Sequence, residues 1–166
     1  MGFDRCGVSK RMGGRMSNLA KIIDYLPEQF MAEKVLALQA EVLKLPQFEP
    51  VTRHEFHGGM YRREVEQPAG VIIIGKVHKM EHFFIILSGE VAVTVNDKVE
   101  RVIGPKMFCS HPGEKRAIYA ITDAVFMTIH RTDSITVEDA ESEMVEEGLE
   151  SPFTTGNILR NKLQES

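Results

Sequence analysis

A chain of 166 residues has the length of one domain, which excludes an enzyme assembled from two large domains. With 43% hydrophobic and 27% charged residues it has the composition of an ordinary soluble globular protein, and 20 basic against 24 acidic residues give a net charge of −4. That balance offers no general pull toward phosphate backbones, so nucleic acid is not an expected partner.

Two cysteines, Cys6 and Cys109, are too few for a disulfide framework and lack the paired spacing of a zinc knuckle, which fits a reducing compartment. No apolar run, that of residues 71–74 included, is long enough to span a membrane. The basic N-terminus leads into no apolar signal segment, so cytoplasm or a virion is expected rather than secretion.

Residues 1–16 are basic and contain Gly7, Gly13 and Gly14 without a period, the texture of an arm. Residues 17–46 form a helical segment. Ser17 can cap a short helix bearing Leu19, Ile22, Ile23 and Leu26, and Pro27 interrupts it. A second helix runs to about Leu45 with Met31, Val35, Leu38, Val42 and Leu45 on one narrow stripe, and Pro46 ends it. The stripe can dock on its own domain or contribute to an oligomer contact.

From residue 51 to residue 131 the chain breaks into short runs of Val, Ile, Phe and Thr separated by turn compositions. The runs are 51–56, 60–66, 71–78, 82–87, 90–95, 98–103, 107–109, 115–120 and 124–131, and some are expected to merge, leaving seven or eight strands. Gly58-Gly59, Ser88-Gly89, Asn96-Asp97, Gly104-Pro105 and Pro112-Gly113 are among the breaks. Residues 132–166 form an acidic helix and tail: Thr136 and Asp139 make a capping pair and Gly148 marks a stop. The tail has little apolar content and needs a partner surface. The narrow stripe and the two unsupported ends favour a homo-oligomer or a larger assembly.

The stretch richest in chemistry is Gly75-Lys76-Val77-His78-Lys79-Met80-Glu81-His82, continuing to Gly89-Glu90. On an extended chain Lys76, His78, Met80, His82 and Phe84 share one face, so two imidazoles point the same way. This spacing resembles the first motif of the cupin superfamily. Anchored on Gly89, the motif's acidic position falls on His82, its second His on His78 and its first His on Lys76. Pro112-Gly113-Glu114-Lys115-Arg116 resembles the second cupin motif, with Arg116 at the place of the metal-binding His. The resemblance covers about residues 61–131 and implies a mainly β fold, the double-stranded β-helix or jelly-roll barrel, whose mouth holds a metal ion or a small molecule. The opening helix, Thr52-Arg53-His54, Gly75-Lys76-x-His78 and Glu81-His82 are also similar to small cupin-like proteins of tailed bacteriophages, which implies a virion or head–tail component or a protein of the infected host's cytoplasm.

Three readings of the altered site stand side by side. Lys76 and Arg116 would repel a cation, yet His130 in the last strand can join His78 and His82 as a three-His site for a divalent metal such as iron, manganese or zinc. In the second reading Arg116 and Lys76 hold a small anionic ligand while the histidines donate hydrogen bonds. In the third the histidines are satisfied inside a polar barrel without a ligand. Tyr61 can reach the barrel mouth as a proton donor, with Glu64 as acceptor, although Arg62, Arg63, Glu64 and Glu66 fit a solvated charged strand better. His54 and His57 have opposite parity and cannot easily chelate one ion. Cys109 is expected to be a buried structural residue, and Met80, Met107 and Met127 to pack in the core.

No Walker loop and no Gly-x-Ser-x-Gly elbow occurs in the sequence. The first functional expectation is a non-catalytic cupin module for binding or assembly. The alternative is a metal-dependent oxygenase or isomerase using His78, His82 and His130, for which Glu81 has the wrong parity to add a carboxylate.

Overall fold

The computed structural model describes residues 31–95 and 98–146, together with Phe153, Thr154 and Gly156. The expected arm at 1–16, the helix opened by Ser17, the Asn96-Asp97 turn, the stop at Gly148 and most of the acidic tail lie outside the described residues. The elements are α1 (Met31–Val42), β1 (Thr52–His57), β2 (Met60–Gln67), β3 (Ile72–Ile74), β4 (His82–Ser88), β5 (Glu90–Val95), β6 (Lys98–Ile103), β7 (Lys106–Ser110), β8 (Ala117–Ala120), β9 (Ala124–Arg131) and α2 (Val137–Met144). All nine runs persist as separate strands. None merges, because each turn reverses the chain.

The strands form two antiparallel sheets, ordered β1-β2-β9-β4-β7 and β3-β8-β5-β6. Pairing is nested: β2 joins β9, β3 joins β8, β4 joins β7 and β5 joins β6. A long double strand folded over on itself gives this order, and it is the double-stranded β-helix. Alternation places Val65, Phe84, Ile86, Val91, Val93, Ile118 and Phe126 between the sheets as the core. At the β4–β5 turn Gly89 adopts φ +83, and a Cβ there would lie 2.3 Å from the Asp123 carbonyl oxygen, so only glycine fits.

Two expected boundaries move by three residues or more. The run 71–78 is a strand only over Ile72–Ile74; beyond it Gly75 N–H donates to Arg116 O, His78 N–H to Glu114 O and Lys79 N–H to Met144 O. The chain therefore leaves the ladder and is held by the 113–116 turn and the exit of α2. Helix α1 ends at Val42, before Pro46, and Leu45 is exposed instead of extending the stripe. Val35 and Leu38 are buried against Ala117, with Val42, Ile72 and Ile74 packed on them, so the stripe docks on its own barrel.

Helix α2 starts as its sequence dictates: Thr136 caps it and accepts from the Asp139 N–H. Ala140, Met144 and Val145 bury Tyr61 and close one end of the barrel.

Candidate functional site

Two layers of inward-facing side chains cross the five-stranded sheet at the end closed by α2. The first consists of Tyr61, His130, His82 and Ser110, one from each of β2, β9, β4 and β7. The second, two residues along each strand, consists of Arg63, Thr128, Phe84 and Phe108. His78 reaches the first layer from the irregular segment before β4, where an isolated bridge pairs it with Val145.

The three histidines converge. Ring centroids of His78 and His82 lie 4.0 Å apart, those of His82 and His130 4.4 Å, and those of His78 and His130 5.2 Å. One nitrogen from each lies within 4.8 Å of the others. Burial, followed by the neighbouring His82 and His130 and then the charges of Arg63 and Arg116, pushes His78 down to about 2. Burial, His82 and Arg63 push His130 down to about 3. His82 is also lowered, chiefly by burial. All three rings are neutral at pH 7, with a lone pair available. His82 Nδ1 lies 3.2 Å from the Met80 carbonyl oxygen and donates to it, which leaves Nε2 as its bare nitrogen. Nδ1 of His78 and Nδ1 of His130 are buried without a hydrogen-bond partner.

Those orphaned nitrogens bear on the expectation of histidines satisfied inside a polar barrel, because a polar atom left unpaired in the interior costs free energy. Neutral imidazoles with unused nitrogens suit a borderline transition metal. The donor set therefore fits the divalent ion that the cupin resemblance implies.

Lys76 and Arg116, the two cations at the cupin-motif positions, are each held by a carboxylate. Lys76 Nζ donates to Glu141 Oε2 at 3.1 Å, and Glu141 is buried. Arg116 is buried over the Phe84 ring, donates to Ser110 Oγ at 2.7 Å and is paired with Glu114. Tyr61 is buried behind His130, with its hydroxyl 2.7 Å from His54 Nδ1, and burial pushes it up to about 12. It stacks on Phe56 and lies outside the cavity wall.

Beside the histidines opens a cavity of about 560 Å³, within the size range of small-molecule sites. Val65, Ile72, Ile74, Phe84, Ile118 and Phe126 give it apolar walls, and α1 with the chain that follows it lines the outer part. Its polar lining includes His78, His82, Lys76, Arg116, Thr128 and Arg63. In the sequence Arg63 has the look of a solvated strand residue among charged neighbours. Arg62 and Glu64 do join a surface ion-pair lattice with Arg53 and Glu55. Arg63 has the parity of Tyr61 and Val65 and faces the barrel.

Two expectations are corrected on the outer face. Cys109 is exposed, because Ser110 takes the inward position of β7. Met107, of the same parity as Cys109, is exposed as well and does not pack in the core.

No family model matches the sequence, and no curated protein matches it. Solved structures similar to the chain include the cupin domain of Schizosaccharomyces pombe Cnp3, at 22% identity and TM-score 0.45, covering 63% of this chain and 80% of that one. They also include KdgF from a Halomonas species, at 10% identity and TM-score 0.46, covering 53% and 84%. A cupin superfamily protein of Desulfitobacterium hafniense is similar at 12% identity and TM-score 0.45, covering 57% and 87%. The nested strand pairing of this chain itself gives the double-stranded β-helix.

Proposed function

We propose that this chain is a cupin-type small-molecule-binding domain that holds one divalent metal ion on His78, His82 and His130. The observation that carries the reading is the convergence of three neutral imidazoles, His82 and His130 buried and His78 half-buried, two with orphaned nitrogens, at the edge of an apolar cavity. A bound iron, manganese or zinc ion would supply a Lewis-acidic centre with coordination positions left for a ligand. The protein's part is to fix the His82 ring through Met80, to keep the rings neutral by burial and to exclude water behind Tyr61 and α2. Among the described residues the cluster is all imidazole, with Glu114 and Glu141 engaged by Arg116 and Lys76. Binding is thus favoured over proton-transfer catalysis, and an oxygenase or isomerase activity is the alternative.

The test is metal content by mass spectrometry on chelator-free wild-type protein and on the His78→Ala/His82→Ala variant. Near-stoichiometric metal that disappears in the variant is expected. Wild-type protein that stays metal-free after incubation with iron(II), manganese(II) and zinc(II) would overturn the reading.

For the partner we propose a second copy of the chain. The outer face of the five-stranded sheet carries Phe83, Ile85, Met107, Cys109, Met127 and Ile129 side by side, with Phe83 and Met107 exposed. A virion or head–tail role draws on the chain's two ends, which lie largely outside the described residues.

A further inference from the structure

Four cations, Arg63, Lys76, Lys115 and Arg116, line the cavity, and Lys115 has a partner of its own. Lys76 is paired with Glu141 and Arg116 with Glu114. Arg63 has no ion-pair partner among the described residues, and its Nε is buried without a hydrogen bond. A guanidinium turned into an apolar cavity loses hydration and gains nothing in return unless an anion meets it. The fold does not force this cost, since Thr128 across the strand pair and Val65 along the strand show that uncharged side chains suit the same wall.

We propose that Arg63 is the anchor of a carboxylate-bearing ligand whose apolar body lies along Val65, Ile118 and Phe126. The inference deepens the reading of the cavity as a small-molecule site and names the class of ligand. A guanidinium presents paired, parallel N–H donors, which match the two oxygens of a carboxylate. Arg63 lies on β2 two residues from Tyr61, the strand neighbour of His130, so a carboxylate held there has its body within the layers that also carry the histidines. The apolar walls admit hydrocarbon or an aromatic ring and offer little to a sugar. The cationic pair expected from the sequence, Lys76 and Arg116, is left with the structural work of holding Glu141 and Glu114.

The test measures binding of octanoate, benzoate and phenylacetate to the full chain by calorimetry, with octanol, benzyl alcohol and 2-phenylethanol as uncharged counterparts. Wild type, Arg63→Gln and Arg63→Lys are compared, each metal-free and metal-loaded. At least one carboxylate is expected to bind wild type about tenfold or more tighter than its alcohol. Arg63→Gln should erase that preference while leaving the alcohol's affinity unchanged, and Arg63→Lys should retain part of it. Thermal melts supply an independent readout: Arg63→Gln, relieved of an unpaired cation, should melt at the same temperature as wild type or higher. A preference for carboxylate that survives Arg63→Gln, the absence of any carboxylate binding to wild type, or a large drop in melting temperature that marks Arg63 as structural would each overturn the proposal. Metal binding with no Arg63-dependent preference would sink this inference and leave the metal reading standing. An Arg63-dependent preference in protein that takes up no metal would do the reverse.

Discussion

Lys76 Nζ meets Glu141 Oε2 at 3.1 Å, tying the segment that carries His78 to the helix that closes the barrel. Glu141 is the more buried partner, and it also accepts from the Gly156 N–H. Removing the lysine should leave an uncompensated interior charge and cost about 2 kcal/mol in Lys76→Met, whereas Lys76→Met/Glu141→Gln should recover part of the loss. Urea denaturation of the two single variants and the double variant gives the coupling. A double variant as unstable as the sum of the singles would mean the pair contributes nothing.

Zinc titrated into metal-free protein should raise its melting temperature, because a ligand of the folded state alone stabilises it by about 2.7 kcal/mol at a hundredfold excess over Kd. In His130→Ala the increment on adding zinc should vanish, whatever that variant's own baseline. An equal increment in both proteins would place the ion elsewhere.

Stability of the metal-free protein should fall with acid. His78 and His130 have folded-state values near 2 and 3, against an ordinary 6.5, so the unfolded chain binds more protons below pH 6.5. Their contribution is fully present above that pH and declines as pH drops toward 3, at about 1.4 kcal/mol per pH unit for each ring that must stay neutral. Guanidinium midpoints measured from pH 8 to pH 4 should stay level on the alkaline side and then decline. The His78→Ala/His130→Ala variant should show a shallower decline.

Gly89→Ala and Gly113→Ala separate two costs. Both glycines have φ near +85, but a Cβ on Gly113 meets nothing within 4 Å, while one on Gly89 strikes Asp123 O and Ala124. Gly113→Ala should cost about 1 kcal/mol from backbone strain alone. Gly89→Ala should cost at least about 3 kcal/mol, since the β4–β5 turn must move. Equal denaturation midpoints would show that the turn yields freely.

Phe83→Glu/Met107→Glu adds charge to the exposed outer strip without touching the inward faces of β4 and β7. Light scattering should report an oligomer for wild type and a monomer for the variant, with the metal content of the two equal. A wild-type monomer at high concentration would retire the second-copy proposal.

The strand pattern was legible because turn compositions such as Ser88-Gly89 and Pro112-Gly113 punctuate it, and inward and outward positions alternate along β4. His82 and His130 follow from the parity of their strands. His78 converges with them for another reason: the chain between β3 and β4 is irregular, and backbone bonds to Glu114 and Gly113 hold it in place. Arg63 was hidden among the charges of Arg62, Glu64 and Glu66, although Tyr61-x-Arg63-x-Val65 carries the period that turns it inward. The Glu141 partner of Lys76 was not legible, because it comes from a helix far along the chain whose docking no local pattern encodes. The outward turn of Cys109 follows from a register that the short 107–109 run was too brief to fix.

The nesting of strand pairs also sets the order in which the site can come into existence. β5 and β6 are neighbours in sequence and can pair while the chain is still emerging from the ribosome, whereas β2 must wait for β9, the last strand made. Until β9 arrives, nothing in the sheet joins β2, which carries Arg63, to β4, which carries His82. A nascent chain stalled before β9 therefore has neither a complete ion site nor a closed cavity, and its unpaired β2 and β4 edges are the surfaces a chaperone would meet.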